Sequence, residues 1–593
     1  MPDKVQEIGD QLADFTRDVR VVLLSLMALV IGAASAVVAY ALVWLIGVIT
    51  NLVFYQRYSA ELASPSGHHL GYWVVLAPAI GGLVIGLMAR FGSEKIRGHG
   101  IPEALEAILV GRSRMEPKVA ALKPLSSAIS IGTGGPFGAE GPIIMTGGAF
   151  GSLFAQLFHL SSAERKTLLV AGAAGGMSAI FASPVAAVLL AVELLLFEWR
   201  PRSFIPVALA SAVAAALRVP LMGIGPIFPV TPHSELNGEG LVFAFIVGIV
   251  AGLASGLLTA LVYGFEDAFQ KLPIHWMWWP TIGGLFVGIG GLIDPRVLGV
   301  GYDIIHSLLN GKLIGAAVIG LIIGKAIVWA IALGSGTSGG VLAPLLIMGG
   351  ALGALESQWI PVGDAGLWAT LGMAAMMGGT MRSPLTAIVF TLELTHDLNL
   401  LTGLLVSCIA AHALTVLLLR RSILTEKVAR RGYHITREYA IDPLVLTRVG
   451  EVMDTNVPTI SATMKVSELS DRIAHGDPQL TPRQATPILD EQGRLAGIIT
   501  RGDVVRALEQ DPEGNMTVLE AGSGNLIVTY PDELLHDAVA KMLRNNIGRL
   551  PVVSRGDERR LLGYLGRSRV MAARLRRLDE EQLRERGLIT RTT

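Results

Sequence analysis

The stretch GTGGPFGAEGPIIMTGGAFGSL, from Gly132 to Leu153, places one carboxylate, that of Glu140, among glycines and apolar residues. An acid in such surroundings is costly, and ionisable residues inside membrane segments usually have a function. Close packing of helices can explain the glycines. It does not explain the glutamate, or Pro142 placed where a helix would start. We therefore interpret this stretch as part of a functional site in a membrane protein.

The composition divides the chain into two parts. Mean hydropathy is +0.55, and 16% of the residues are charged, against about 25% in soluble domains. Of the last 153 residues 43 are charged, whereas the first 440 carry only 53. The first three quarters are therefore predicted to lie in a membrane and the last quarter to be soluble. A formal net charge of +0 argues against a nucleic-acid partner, because binding phosphate backbones needs a basic excess.

The opening stretch also belongs to an internal repeat. Glu140–Leu153 matches Leu342–Leu355 at an offset of 202, and Ser183–Leu194 matches Ser383–Leu394 at an offset of 200. Many apolar segments in both halves are short and interrupted by glycine or proline. Broken helices at membrane depth are tolerated where they are buried or line a wet cavity, and paired interrupted segments indicate a transport site. We predict an all-α polytopic membrane domain with two related repeats, and we infer that they are inverted.

Three glycine-rich turns that precede predicted helices could bind an anion. They are Gly98–Glu103, Gly138–Pro142 and Gly339–Pro344, and each has a proline near the start of its helix, where the missing N–H costs nothing. The free N–H groups and the dipole of a helix N-terminus favour negative charge. Several helix starts together can hold an anion without a full positive charge beside it, so that the ion can leave again.

These turns carry a family resemblance. The family signatures GSGIP, GREGP and GxFxP correspond to Gly98–Pro102, Gly138–Pro142 and Gly340–Pro344. The chain resembles the CLC chloride channel and transporter family with C-terminal tandem CBS (cystathionine-β-synthase-type) domains, over nearly its whole length. The resemblance implies a homodimer with one anion pore in each subunit and chloride or a similar anion as the transported ion. It implies an anion site formed by His99, Gly100, Ile101, Gly138, Glu140, Gly141, Val341 and Leu342.

The resemblance also assigns a role to Glu140, the glutamate of the second signature, as the gate. An ionised Glu140 carboxylate can occupy the anion's own position at the helix N-termini and block it. When protonated it no longer competes for those N–H donors and swings away. On this interpretation, the acid lies among helix starts because it imitates the transported anion.

Four positions depart from the family pattern. His99 replaces the serine that touches the anion, and its ring could donate an N–H to the ion or turn towards a carbonyl group or water. Ala139 replaces the arginine of the second signature, and Leu342 replaces the phenylalanine of the third. Leu424 aligns with the family's anion-contacting tyrosine, so the hydroxyl group is lost. These changes leave the selectivity among anions open.

The family's exchangers carry a second, inner glutamate that relays protons. Aligning the chain on Pro184 places Leu194 at that position and Glu193 one residue earlier. Glu198 lies four residues beyond Leu194, on the same helix face, and could replace the relay. It could also be a solvated glutamate that pairs with a nearby arginine, Arg200 or Arg202, at the membrane boundary.

Glu193 has a counterpart, Glu393, in the second repeat. A residue that recurs in both repeats suggests a shared structural role, such as pairing with N–H or hydroxyl groups. No second buried relay is then evident. The sequence therefore favours a passive or poorly coupled anion conductor over a proton-coupled exchanger.

The soluble part contains two similar units, each with an opening strand, an amphipathic helix, two short strands around a turn and a closing helix. In the first unit, Thr500 and Asp503 match the ribose signature of nucleotide-binding CBS domains. They could bind an adenine nucleotide (ATP, ADP or AMP), or they could simply cap the helix that follows. The second unit has Gly566 and Arg569 at these positions and has lost the signature.

The predicted organisation has six parts: an N-terminal cytosolic segment (1–19), a transmembrane anion-transport domain (20–419), a cytosolic connector (420–447), two α/β CBS domains (448–509 and 516–574) and a charged tail (575–593). The predicted function is anion transport through a pore gated by Glu140. A proton-coupled exchanger and a membrane-anchored nucleotide sensor without transport are the alternatives. We expect a multi-pass protein of the cell (inner) membrane with its CBS pair in the cytoplasm. No enzymatic activity, required cofactor or metal site is expected.

Overall fold

The computed structural model describes residues 20–432, 447–481, 484–573 and 575. The predicted N-terminal segment (1–19), residues 433–446 of the predicted connector, residue 574 and the predicted tail beyond residue 575 lie outside the described residues. The described residues form two compact units, one before residue 433 and one from residue 447 onward. Each unit is described by itself.

The first unit consists of helices. In chain order they are α1 (Arg20–Tyr55), α2 (Leu76–Phe91), α3 (Ile101–Leu109), α4 (Pro117–Gly132), α5 (Glu140–Gln156), α6 (Ser162–Phe181), α7 (Pro184–Leu190), α8 (Pro201–Met222), α9 (Gly238–Gln270), α10 (Trp279–Ile293), α11 (Tyr302–Leu309), α12 (Ala316–Gly334), α13 (Leu342–Glu356), α14 (Ala365–Met381), α15 (Pro384–Thr395), α16 (Leu401–Leu418) and α17 (Ile423–Arg430). Helix α7 continues as a π-helix over Ala191–Leu196.

Seven helical segments in the described part of the chain are long and apolar enough to cross a membrane. They are Arg20–Tyr55, Gly71–Phe91, Pro201–Met222, Gly238–Gln270, Trp276–Ile293, Ala316–Gly334 and Leu398–Arg430. A helix needs about 20 residues to span the hydrocarbon core. The helices of the internal repeat are shorter and buried inside the bundle, among them α5 and α13. They meet the condition for broken helices at membrane depth.

The two repeats pack their helices in the same way. A Cβ atom added to Gly147 of α5 would lie 2.3 Å from the carbonyl oxygen of Gly172 in α6, and one added to Gly349 of α13 would lie 2.5 Å from that of Gly372 in α14. Only glycine permits these backbones to approach so closely. The repeat seen in the sequence is therefore a repeat of helix packing.

Equivalent helices of the two repeats run antiparallel. Glu193, at the end of α7, accepts hydrogen bonds at the start of α15 from the N–H of Leu385 (3.3 Å) and of Thr386 (2.9 Å). Glu393, near the end of α15, accepts hydrogen bonds at the start of α7 from the N–H of Val185 (3.0 Å) and of Ala186 (2.8 Å). The end of each helix thus lies at the start of the other. This is the relation that inverted repeats require.

The second unit is α/β and contains two small sheets. Its elements are α18 (Val449–Val452), β1 (Ile460–Ser461), α19 (Val466–Ala474), β2 (Ala485–Leu489), β3 (Leu495–Thr500), α20 (Arg501–Gln510), α21 (Val518–Ala521), α22 (Leu535–Arg544), β4 (Arg549–Ser554) and β5 (Asp557–Gly566), and residues 567–573 are helical. Strand β2 pairs parallel with β1 and antiparallel with β3, and β4 pairs antiparallel with β5.

Each half of this unit has its own apolar core. In the first half Val466, Ile488 and Val518 are fully buried or nearly so, and the second half has a separate core built on α22, β4 and β5. The opening strand predicted for the second half is reduced to one parallel bridge between Thr529 and Val552. The paired α/β arrangement predicted from the sequence is otherwise present.

Candidate anion-binding site

Three glycine-rich loops meet at the centre of the first unit, where α3, α5 and α13 begin. Gly98 forms a parallel bridge with Ser338, and Gly138 forms an antiparallel bridge with Gly340. The N–H of Gly340 donates to the carbonyl oxygen of Gly138 over 2.9 Å. Gly138 and Gly340 are equivalent residues of the two repeats, so the repeats meet at this pair. The arrangement brings three helix N-termini together, as the sequence predicts.

The approach of these loops depends on glycine at two positions. Gly100, the N-cap of α3, has a φ of 92°, in the region that favours glycine. A Cβ atom on Gly141 would lie only 1.9 Å from the carbonyl oxygen of His99. The side chain of Glu103 fixes the start of α3 because its Oε2 accepts the Gly100 N–H over 2.9 Å. The loops that carry His99 and Glu140 are therefore in direct backbone contact.

Glu140 is the first residue of α5 and is fully buried. Within the described part of the chain, neither of its carboxylate oxygens has a hydrogen-bond partner of normal geometry. The backbone N–H groups of Glu140 itself and of Ala343 at the start of α13 lie within reach. Cβ atoms added to Gly138 and Gly340 would lie 1.8 Å and 2.7 Å from Oε2. The carboxylate thus lies in the space between helix starts that an anion would use.

The other residues predicted for the anion site lie in the same place. Ile101 is the first residue of α3, Val341 is the N-cap of α13 and Leu342 is its first residue. All three are fully buried. Their predicted contact with the ion uses backbone N–H groups, which helix starts leave free. The replacement of phenylalanine by Leu342 does not remove such a group.

His99 is 2% exposed, and its Nδ1 atom is buried without a hydrogen-bond partner among the described residues. The ring lies within electrostatic reach of Glu103, Lys427 and Lys123. The sequence also allowed the ring to turn towards a carbonyl group, but Nδ1 forms no such bond to a described residue. A buried polar atom without a partner is expensive, and an anion would satisfy it if Nδ1 carries the proton.

One buried cation at this site was not predicted. Lys123 of α4 is fully buried, and its Nζ donates to the carbonyl oxygens of Ile96 (2.9 Å) and Gly98 (2.7 Å) and to Oγ of Ser338 (2.9 Å). Ser127 Oγ shares a hydrogen bond with the same Ser338 hydroxyl (2.9 Å). Lys123 therefore holds the first and third loops together. The sequence signal for it is one lysine in the otherwise uncharged stretch of residues 119–131, where a charge inside the membrane is costly unless paired.

The second repeat has an equivalent lysine at an offset of 202. Lys325 of α12 is fully buried and donates to the carbonyl oxygens of Val297 (2.9 Å) and Gly299 (3.1 Å). Both lysines thus bind the loop that leads into a short helix, α3 or α11. The loop before α11 also contains two glycines at positive φ, Gly299 (64°) and Gly301 (76°). The repeat is more extensive than the sequence comparison indicated.

The position that aligns with the family's anion-contacting tyrosine is occupied by Leu424, the second residue of α17, which is fully buried. The hydroxyl group of Tyr263 lies near this helix, but it donates to the carbonyl oxygen of Ile423 over 2.5 Å. Tyr263 therefore uses its hydroxyl group to hold the start of α17 and does not replace the missing ligand.

Both residues named as a possible proton path have polar partners. In addition to its bonds at the start of α15, Glu193 accepts from the Thr386 hydroxyl over 2.5 Å. Glu393 binds the start of α7 in the same way, which confirms the shared pairing role expected for the two glutamates. Glu198 forms ion pairs with Lys166 (3.2 Å) and Arg200 (3.6 Å). Leu194, at the relay position, is fully buried.

In the second unit, Thr500 and Asp503 form a capping box at the start of α20. Asp503 Oδ2 accepts from the backbone N–H and the hydroxyl group of Thr500, each over 2.7 Å. Its Oδ1 pairs with Arg506. This is the helix-capping arrangement that the sequence offered as an alternative, and a ribose would have to displace some of these bonds. Gly566 ends β5, and Arg569 lies near Asp454.

The fold and the site can be compared with known proteins. A protein-family model described as "Voltage gated chloride channel" matches residues 80–416, and a "CBS domain" model matches residues 449–510 and 521–576. A "Voltage-gated ClC-type chloride channel ClcB" of Citrobacter koseri is 30% identical over 366 residues, which are 60% of this chain and 87% of the relative.

Two solved structures share the fold. One is a "slow cyanobacterial Cl-/H+ antiporter", with a TM-score of 0.58 and 22% identity, covering 69% of this chain and 96% of the other. The other is a "eukaryotic CLC transporter", with a TM-score of 0.60 and 20% identity, covering 92% of this chain and 97% of the other. At 22% and 20% identity, these two similarities show a shared fold and no more.

Proposed function

The chain belongs to the voltage-gated chloride channel (CLC) family, and on that premise we propose that it conducts chloride or a similar anion through the site where α3, α5 and α13 begin, with Glu140 as the gate. Membership of the family and the apolar helices make it an integral multi-pass membrane protein with C-terminal CBS domains. The observation that carries the proposal is the buried Glu140 carboxylate, which lies between helix starts and has no hydrogen-bond partner of normal geometry among the described residues. A free anion would occupy the same space.

The proposed gate works by competition. An ionised carboxylate is attracted by the same N–H groups and helix dipoles as a chloride ion, because both are anions. Protonation removes that attraction, and the side chain can then leave the space between Gly138 and Gly340. Converging N–H groups bind the anion that replaces it without a permanent ion pair, so the ion can move on.

We propose that transport is passive or poorly coupled to protons. The contacts of Glu193 and Glu198 support this: the first caps a helix of the other repeat, and the second is held by Lys166 and Arg200. Leu194 offers no titratable group. The proton-coupled exchanger is the competing function, and the similar cyanobacterial structure is that of a Cl-/H+ antiporter.

Chloride flux measured with and without a pH gradient tests the mode of transport. In proteoliposomes containing the full chain, a chloride gradient should drive chloride movement but no measurable uphill movement of protons. Vesicles without protein give the leak, and Glu198→Gln should behave as the wild type because its ion pairs are structural. Protons driven uphill by the chloride gradient would establish the exchanger, and a wild-type chain without any flux would favour the membrane-anchored sensor.

We further propose that the CBS pair lies in the cytoplasm of a cell (inner) membrane protein that forms a homodimer, and that it binds an adenine nucleotide at Thr500 and Asp503. The Asp503 carboxylate at the start of α20 could accept the ribose hydroxyl groups if its bonds to Thr500 and Arg506 rearrange, and the helix start favours phosphate.

Nucleotide binding has its own test. Millimolar ATP, ADP or AMP should raise the thermal unfolding temperature of the full chain. Asp503→Asn should remove most of this shift while keeping an oxygen that can cap α20, and Asp537→Ala, an exposed acid in the first turn of α22, should not. A wild-type chain that shows neither a thermal shift nor calorimetric heat would leave Thr500 and Asp503 with the capping role alone.

A further inference from the structure

A cavity of about 660 Å³ opens beside the loop that leads into α3. We call it the α17 cavity, because three residues of or just after α17 line it: Lys427, Arg430 and Arg431. The first turn of α3 contributes Glu103, and the cavity reaches Gly336 near the third loop of the site. It therefore adjoins the Gly98–His99 loop on the side that carries α17.

Lys427 extends towards this loop. A Cβ atom added to Gly98 would lie 2.8 Å from its Nζ and 3.6 Å from its Cε, so the ammonium group lies against the backbone that precedes His99. Lys427 follows Leu424 by three residues, and residues three apart share a helix face. Leu424 supplies no polar group, and Lys427 therefore places a positive charge on the same face of α17, about one turn further along the helix.

Five other cations line the α17 cavity. Arg114 is exposed, and Arg430 pairs with Asp267 and Glu426. The remaining three have partners too. Lys95 pairs with Glu116 over 2.7 Å, Arg431 pairs with Glu103 over 3.0 Å, and the guanidinium group of Arg97 stacks over the ring of Trp276 at 4.5 Å. These contacts hold the three cations away from a mobile ion.

Lys427 differs from them. It has no ion pair within 4 Å and no hydrogen bond to any described residue. Glu103 attracts Lys427 electrostatically from the same side of Gly98, but its two carboxylate oxygens already bind Arg431 and the Gly100 N–H. An ammonium group with three donors is thus left beside the Gly98–His99 loop, within electrostatic reach of the His99 ring.

We propose that Lys427 is a specificity-determining ligand that binds the permeating anion at the α17-cavity end of the path and supplies the contact that Leu424 cannot make. This inference rests on the proposed anion transport. A fixed cation in a partly enclosed cleft raises the local concentration of anions. A compact ammonium group suits a spherical halide, whereas a planar guanidinium fork suits planar oxyanions such as nitrate.

The test is the dependence of flux on chloride concentration in proteoliposomes containing the full chain. Lys427→Met should raise the chloride concentration for half-maximal flux by about tenfold, the lower end of what electrostatic focusing contributes. Lys427→Arg should keep the affinity for chloride close to wild type but increase nitrate flux relative to chloride. Lys271→Met removes an exposed lysine just after α9, outside the α17 cavity, and serves as the matched control without effect.

The outcomes separate this inference from the proposed function. If the wild type moves chloride but Lys427→Met and Lys427→Gln have the same chloride concentration for half-maximal flux as the wild type, Lys427 is not a ligand. A role limited to packing would lower the thermal stability or the maximal flux without moving that concentration. If the wild type moves no chloride, the proposed function fails, and calorimetric chloride binding that is lost in Lys427→Gln would still support an anion site at Lys427.

Discussion

Replacing Glu140 with glutamine should give a chloride flux that continues but no longer changes with pH. The glutamine side chain has nearly the size of glutamate and cannot ionise, so it resembles the protonated gate at every pH. In the wild type the fraction of open pores should follow the protonation of one carboxyl group. This fraction therefore changes by at most about tenfold for each pH unit. Chloride efflux from proteoliposomes between pH 4.5 and 8 measures both profiles.

The matched control is Glu239→Gln. Glu239 also lies in the first turn of a membrane helix, α9, but its side chain is exposed. This variant should keep the wild-type pH profile. If Glu140→Gln also keeps it, Glu140 is not the gate. If Glu140→Gln lost all flux, the carboxylate would be needed for conduction itself, which the competition mechanism excludes.

The backbone of the candidate site could be predicted because its requirements are visible in the sequence. A tight loop at a φ of 92° needs glycine at position 100, and a close crossing of loops needs glycine at position 141. Proline near a helix start marks where N–H groups are free. Such local rules identified all three loops and the acid among them.

The side chains that hold the loops together could not be predicted in the same way. Lys123 binds the carbonyl oxygens of Ile96 and Gly98, which are more than twenty residues away in sequence and carry no side-chain signal. Any residue type can offer a carbonyl group, so the partner of a buried lysine emerges only from the tertiary structure.

Glu193 and Glu393 show how much an internal repeat in the sequence can predict about side-chain partners. A matched pair, Glu193 and Glu393, indicated that both have the same kind of partner. That each binds the helix start of the other repeat follows from the antiparallel relation of α7 and α15, which the sequence similarity alone does not contain. The same relation makes Gly138 and Gly340, equivalent residues, pair with each other.

The substitution His99→Ser should change the order in which anions pass. The Nδ1 atom of His99 is buried and has no hydrogen-bond partner in the part of the chain that the structure describes, so the ring has an unused polar group beside the site. A hydrogen bond to a charged partner contributes about 1.5–3 kcal/mol, and an unequal loss among anions of even half that range changes a flux ratio about threefold or more. Fluxes of chloride, bromide, nitrate and fluoride at fixed pH give the order.

Two further variants separate contact with the ion from packing. His99→Asn keeps an N–H donor and should remain closer to wild type than His99→Ser, whereas His159→Ser, an exposed histidine after α5, should leave the order unchanged. If the ring only fills space, both His99 variants will unfold at lower temperature and the order of anions will stay as in the wild type. That result would remove His99 from the anion site and leave the backbone N–H groups of the three helix starts as its remaining predicted ligands.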